Sequence, residues 1–119
     1  MSYVALATRQ FEALTDFYGK TLGFTVLKRW DRPNGRSCVF DLNGLKLEIL
    51  DAAREKAALE LGPVGDRIHL VIEVADVDAA HRALAIHAPP PITTSWGSRT
   101  FSLRDPDGTA VCYLQWVAG

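Results

Sequence analysis

No run of the 119-residue chain is apolar for long enough to cross a bilayer, which takes about 18 residues or more. Charge of one sign is not in surplus either. Thirteen Lys and Arg against 14 Asp and Glu leave a formal net charge of -1, without the basic excess that nucleic acid or an anionic membrane surface calls for. Cysteine is sparse. Cys38 and Cys112 are the two present, and both sit in strand-like runs instead of a disulfide framework, which reads as reduced thiols in a cytoplasmic protein. The segment Met1–Ala5 has no basic region leading into an apolar stretch, so no secretory signal is expected. Gly-rich phosphate loops, a Ser/His/Asp triad and a CxxC pair are missing too. What is present is an apolar fraction of 48% with 23% charged residues, the balance of one soluble globular domain over 1–119 with a modest core.

The pattern of apolar residues divides the first half into short elements. Tyr3–Ala7 reads as a strand and Thr8 as a cap for the segment after it. Phe11, Leu14, Tyr18 and Leu22 recur at helical spacing, with Gly23 as the stop. Phe24–Trp30 is rich in strand formers, and Asp31–Gly35 has turn chemistry. Ser37–Leu42 and Leu45–Leu50 are two further strands across Asn43-Gly44, a tight hairpin signal. The stretch 51–65 is a connection, with a short helical piece from Ala53 to Leu61 broken by Gly62-Pro63.

The second half repeats the order. Arg67–Val74 alternates as a strand. Asp76 caps a helix carrying Val77, Ala80, Leu84 and Ala88 on one face, and Pro89-Pro90-Pro91 ends it. Strands follow around Ile92–Trp96, Arg99–Leu103 and Thr109–Val117, the last after the turn Asp105-Pro106-Asp107-Gly108. Gly35-Arg36-Ser37 through Glu48 parallels Gly97-Ser98-Arg99 through Cys112. In each half a hairpin glycine lies four residues before Glu48 or Cys112. The expected architecture is therefore α+β, two tandem βαβββ modules over 1–50 and 66–119 that arise from a diverged duplication.

Phe17-Tyr18 with Leu22-Gly23-Phe24, then Arg67-Ile68-His69-Leu70 leading into Val74-Ala75-Asp76, then Asp105-Pro106-Asp107-Gly108 resemble, in order and over nearly the whole chain, the vicinal-oxygen-chelate (glyoxalase/bleomycin-resistance/dioxygenase) superfamily. That resemblance implies a curved mixed sheet around a cleft. It also implies metal ligands from the first and last strand of each module, and a homodimer. Carried over one at a time, the ligand positions fall on Tyr3, Glu48, His69 and Cys112. Two of these hold the expected chemistry. Tyr is a poor neutral ligand and a Cys thiolate suits soft ions, so no complete metal site and no cofactor are expected. A divalent metal on a mixed Tyr/Glu/His/Cys set is the alternative.

Alternation alone also singles out two of these residues. Leu45, Leu47 and Ile49 share one face, opposite Lys46 and Glu48; Ile68, Leu70, Ile72 and Val74 share another, opposite His69 and Glu73. The aliphatic faces should pack on the helices and leave Glu48 and His69 on the concave side. The plainer alternatives are a hydrogen-bonded neutral imidazole for His69, and for Glu48 a solvated carboxylate paired with Lys46 or Arg36. Trp30 and Trp96 lie at corresponding ends of the second strands and Trp116 is in phase with Cys112, giving stacking surface for a ligand or ordinary packing. Arg36, Arg99 and Arg104 either greet an anion at the cleft mouth or belong to solvated faces; His81 and His87 read as surface or packing residues. The function expected is binding of a small, partly apolar organic ligand in the cleft. The rival is an enzyme: a metal-dependent lyase, isomerase or dioxygenase, or a metal-free one using Glu48 or His69 as acid or base.

Overall fold

The computed structural model describes residues 2–55, 59–84 and 86–117, which fall into two compact units, Met1–Pro63 and Val64–Gly119. Among the described residues no helix is long and apolar enough to cross a membrane.

The first unit runs β1 (Val4–Thr8), α1 (Phe11–Asp16), β2 (Thr25–Arg32), β3 (Gly35–Leu42) and β4 (Leu45–Asp51). Its sheet has the order β1-β4-β3-β2. β1 pairs parallel with β4, and the other pairs are antiparallel. The predicted helix to Leu22 is there, but it changes character: α1 gives way to a π-helical turn over Phe17–Thr21. Thr8 does not cap it; its hydroxyl accepts from the Gln10 amide at 2.9 Å, while Gln10 holds the N-cap position. Asn43 and Gly44 have φ of 56° and 107°, the positive values at both central residues that a two-residue hairpin of matching twist requires. The helical piece expected over 53–61 is a single 3-10 turn, Ala52–Arg54, with extended backbone at Glu55 and no helix at 59–61; 56–58 lie outside the described residues.

The second unit runs β5 (His69–Glu73), α2 (Val77–Arg82), β6 (Ile92–Thr93), β7 (Ser98–Arg104) and β8 (Ala110–Trp116), with sheet order β5-β8-β7-β6. Asp76 caps α2 as expected, its carboxylate accepting from Ala79 N at 3.0 Å. α2 ends well short of the prolines, however. Ala88, expected on the helix, lies outside it and is buried, and its carbonyl meets the His81 ring Nε2 at 2.8 Å. Ile68, expected on the aliphatic face, lies outside β5 and is exposed.

In both units one face of the sheet is consumed by packing. Cys38, Phe40, Leu42, Leu47 and Ile49 are buried beneath α1 and the π turn. Phe40 lies 6.1 Å from the Tyr18 ring, and Gly19 passes so close that a Cβ there would sit 3.1 Å from Phe40 Cε1. Leu70, Ile72, Phe101, Val111 and Tyr113 do the same beneath α2. Phe101 stacks on Tyr113 at 4.7 Å and meets His81 edge-on at 5.1 Å. Desolvation pushes the Tyr113 phenol up to about 12.

Two arginines complete these faces. Arg36 donates to Asp51 from Nε at 2.9 Å and Nη2 at 2.7 Å, and lies over Phe11 at 4.4 Å. Arg99 grips Asp78 of α2 from Nε and Nη2 at 2.9 and 2.8 Å. The register makes them equivalent. Glu48 lies opposite Val39 and Cys112 opposite Ser102, and three residues before each stand Arg36 and Arg99. The repeat read from the sequence, which matched Arg36 with Ser98, is off by one on these strands. That slip moves a side chain to the other face, so neither arginine is on a solvated face or beside Glu48.

Two outcomes follow. Phe40→Ala should lower the unfolding free energy by roughly 3–5 kcal/mol in urea denaturation, as loss of a fully buried ring does. Arg99 holds the Asp78 carboxyl below its ordinary value of 3.8, chiefly by its hydrogen bond. A depressed carboxyl stabilises the fold above its unfolded value, and that stability is lost as pH falls through the native one. The stability gap between wild type and Asp78→Asn should therefore be flat above about pH 4 and close below it, read by thermal unfolding across pH.

Candidate functional site

The sheet faces turned away from the helices hold the residues singled out above, and each unit has its own arrangement. In the first unit Glu48 lies between Ala5 of β1 and Val39 of β3. It is 6% exposed, so it is not the solvated carboxylate of the plainer reading. Its neighbour is Ser37, whose Oγ donates to Oε2 at 2.8 Å with the Ile49 carbonyl also in reach at 3.1 Å. Arg36 points to the opposite face and is taken by Asp51. Ser37 was not singled out in the sequence. Its signal was there, since it is two residues from Val39 on the strand paired with β4 and therefore shares the Glu48 side. Tyr3 stands one residue before β1 and is 55% exposed.

A bulge shapes the edge of this sheet. Val26 pairs with Phe40 and Lys28 with Val39, so Leu27 is an extra residue in β2. From there the alternation is inverted. Lys28 and Trp30 join the Ser37–Glu48 face, with Lys28 Nζ 5.3 Å from the Trp30 ring, and Arg29 turns to the helix side.

In the second unit His69 lies opposite Ala110, Val71 opposite Cys112 and Glu73 opposite Leu114. His69 is exposed, and its Nε2 lies 3.0 Å from the Asp66 carbonyl oxygen. A carbonyl accepts only, so Nε2 carries the proton and Nδ1 keeps the lone pair in the neutral ring. The Asp66 side chain takes Arg104 Nη2 at 2.5 Å, while Arg104 Nη1 donates to Gly108 O at 2.9 Å. The hydrogen bond and charge of Arg104 lower the Asp66 carboxyl. Arg104 is thus the brace of the loop that orients His69. Cys112 is half-buried, and its thiol donates to the Tyr113 carbonyl at 3.7 Å.

At the far end of the same face Trp116 lies opposite Ser98, and Trp96 sits in the turn between β6 and β7. Their rings meet edge-on at 5.6 Å. Gly97 O accepts from Val117 N at 3.0 Å, and Thr94 and Ser98 hydroxyls bond at 2.8 Å across the turn. The turn is pinned while the indoles stay 59% and 57% exposed.

Among the described residues no three His, Cys, Asp or Glu side chains come together; of the four positions the resemblance implies, Tyr3 is a poor neutral ligand and Cys112 suits soft ions. By contrast, no buried side-chain nitrogen or oxygen among the described residues lacks a hydrogen-bond partner. Ser37→Ala should therefore cost about 1–3 kcal/mol at neutral pH, because it strips a buried carboxylate of its donor. Adding Glu48→Gln to that variant should recover part of the loss in urea denaturation. A double variant no more stable than Ser37→Ala would show that the carboxylate is hydrated instead.

No curated protein matches the chain, but solved structures do. A glyoxalase/bleomycin resistance protein/dioxygenase from Nocardioides is 27% identical with a TM-score of 0.73, over 100% of this chain and 85% of its own. TnmS3, an antibiotic binding protein from Streptomyces sp. CB03234, is 26% identical with a TM-score of 0.64, covering 98% and 97% of the two chains. A lactoylglutathione lyase from Agrobacterium tumefaciens, 21% identical over 97% and 92% with a TM-score of 0.68, shares the fold. The family model of the Glyoxalase/Bleomycin resistance protein/Dioxygenase superfamily matches residues 1–113. With two βαβββ units and that match over nearly its whole length, the chain belongs to this superfamily.

Proposed function

We propose that this protein binds a small, partly apolar organic ligand on the open faces of its sheets, in the cleft expected of its family, without a complete metal site. The observation that carries the reading is the Trp96–Trp116 pair. Two indoles at 5.6 Å, each more than half exposed, are a costly arrangement for a surface that meets water alone. On a pinned turn and a strand they form a rigid aromatic wall, which gives stacking area at little entropic cost. Leu114 and Val71 extend the apolar lining on the same face, and Glu48 and His69 provide a few polar contacts to orient a ligand. The likeness to TnmS3 supports binding in preference to turnover. The reduced cysteines fit a cytoplasmic setting, and the family's habit of pairing supports a homodimer.

The second reading is an enzyme, and the observation that favours it is Glu48. A carboxylate with one hydroxyl donor in a largely dry setting is suited to taking a proton from a bound ligand. Fold alone does not separate the two, since one scaffold hosts many chemistries.

Titration with a panel of small aromatic and aliphatic compounds should give saturable quenching of tryptophan fluorescence. Trp116→Ala should weaken the best binder about tenfold or more, in line with loss of one aromatic stacking contact of about 1–3 kcal/mol. Stoichiometric zinc, iron, manganese or nickel in protein purified without chelators, lost in His69→Ala, would overturn the metal-free reading. Turnover of a bound compound that is abolished in Glu48→Gln would move the protein to the enzyme class.

A further inference from the structure

The first unit carries a hollow that the open-face reading does not use. It lies on the helix side of the sheet, between α1 with its π turn and the edge strand β2, and has a volume of ≈ 410 Å³. Phe11, Thr15, Phe24, Val26, Arg29 and Trp30 are among its walls. A site of this size fits a small organic molecule, which pockets of about 300–1,000 Å³ accommodate.

Charge matching around the hollow is uneven. Asp16 is paired with Lys20 at 3.4 Å, Asp31 with Arg54, and Glu12 with Arg36 at 3.8 Å. Arg36 is itself committed to Asp51. Among the described residues Arg29 meets no carboxylate; its polar contact is Nη2 to the buried Cys38 sulfur at 3.9 Å. A guanidinium has five N–H donors, and a sulfur is a weak acceptor for one of them. Arg29 is exposed, so the remaining donors are within reach of a ligand. The bulge at Leu27 is what aims it here, on the same side as Val26, instead of onto the open face.

We infer that this hollow is a second binding site, for a small aromatic carboxylate, with Arg29 holding the carboxylate and Phe11 and Phe24 offering ring contacts. A planar fork of donors matches a carboxylate, and an arginine–carboxylate pair is stronger than a neutral hydrogen bond. Asp16 and Asp31 are paired, while Glu12 shares Arg36 with Asp51; preference for an anion over a neutral analogue therefore rests on direct bonding to the Arg29 fork. The site does not depend on the tryptophans of the second unit.

Amide-resolved NMR titration of the full chain with indole-3-acetate tests it. Saturable shifts are expected at Thr15, Gly19, Val26 and the Arg29 side-chain Nε–H. Indole-3-acetamide should bind about tenfold or more weakly, and Arg29→Gln should weaken indole-3-acetate by a similar factor. Arg82→Gln, on the exposed end of α2, should leave the affinity unchanged. Dispersed spectra of Arg29→Gln would show that the variant folds; a collapsed spectrum would transfer the test to the acetamide comparison in wild type. Absence of saturable shifts at these residues would overturn the proposal. So would equal binding of acid and amide, or shifts confined to Leu114, Trp96 and Trp116.

Discussion

The two-sided use of each sheet is the constraint on which the rest depends. A strand presents alternate residues to opposite faces, and in both units one set is pressed beneath a short helix. Phe40, Leu47 and Ile49 fill that role in the first, and Leu70, Ile72 and Val111 in the second. Neither α1 nor α2 is long enough to be stable alone; each is held by the aromatic and ionic contacts that reach it from the sheet. Phe40 meets Tyr18, Phe101 meets His81, and Arg99 reaches Asp78. Once that face is committed, the open face is left to Glu48 in the first unit and to His69, Cys112 and Trp116 in the second.

Much of this was legible in the sequence, because period two is a strong signal where the core face is purely aliphatic. Leu45-Lys46-Leu47-Glu48-Ile49 declares its faces without help, and so does Leu70-Val71-Ile72. The family's short motifs then fixed the order of elements. What stayed hidden were events that shift phase by one residue. The bulge at Leu27 inverts the second half of β2, and no residue type announces it. The repeat alignment through Gly35 and Gly97 failed for the same reason: a glycine match is one residue away from the match that pairing imposes. A slip that is small along the chain is complete in space, since it exchanges helix side for open side. The shortening of α2 belongs to another class. There the apolar residues keep helical spacing up to Ala88, yet the helix ends at Arg82, further back than the prolines act, since they restrict only the residue before them.

The two open faces have diverged further than the two cores. The first keeps a buried carboxylate with a hydroxyl partner, and the second replaces that carboxylate with a thiol that bonds to its own strand. Tyr3 and His69 stand at matching places, yet the imidazole is braced by Asp66 and Arg104 while the phenol is half in water. Duplication followed by such unequal change leaves the first open face with a polar pair, Ser37–Glu48, and the second with an aromatic pair, Trp96–Trp116.

The arginines carry the same argument to the helix side. Arg36 and Arg99 occupy equivalent places and both are bound to carboxylates of their own unit, so their charge serves the fold. A charge satisfied on two edges, as in the Arg36–Asp51 pair, has little left to offer a ligand and would be destabilising to withdraw. Arg29 has no counterpart in this arrangement. It reaches the helix side because an extra residue was accepted into an edge strand, where a bulge disturbs the fewest hydrogen bonds. Local backbone irregularity that leaves a cation beside aromatic rings, and without a carboxylate among the described residues, is difficult to attribute to stability. A fold under selection for packing alone would place an uncharged side chain there or supply the missing acid.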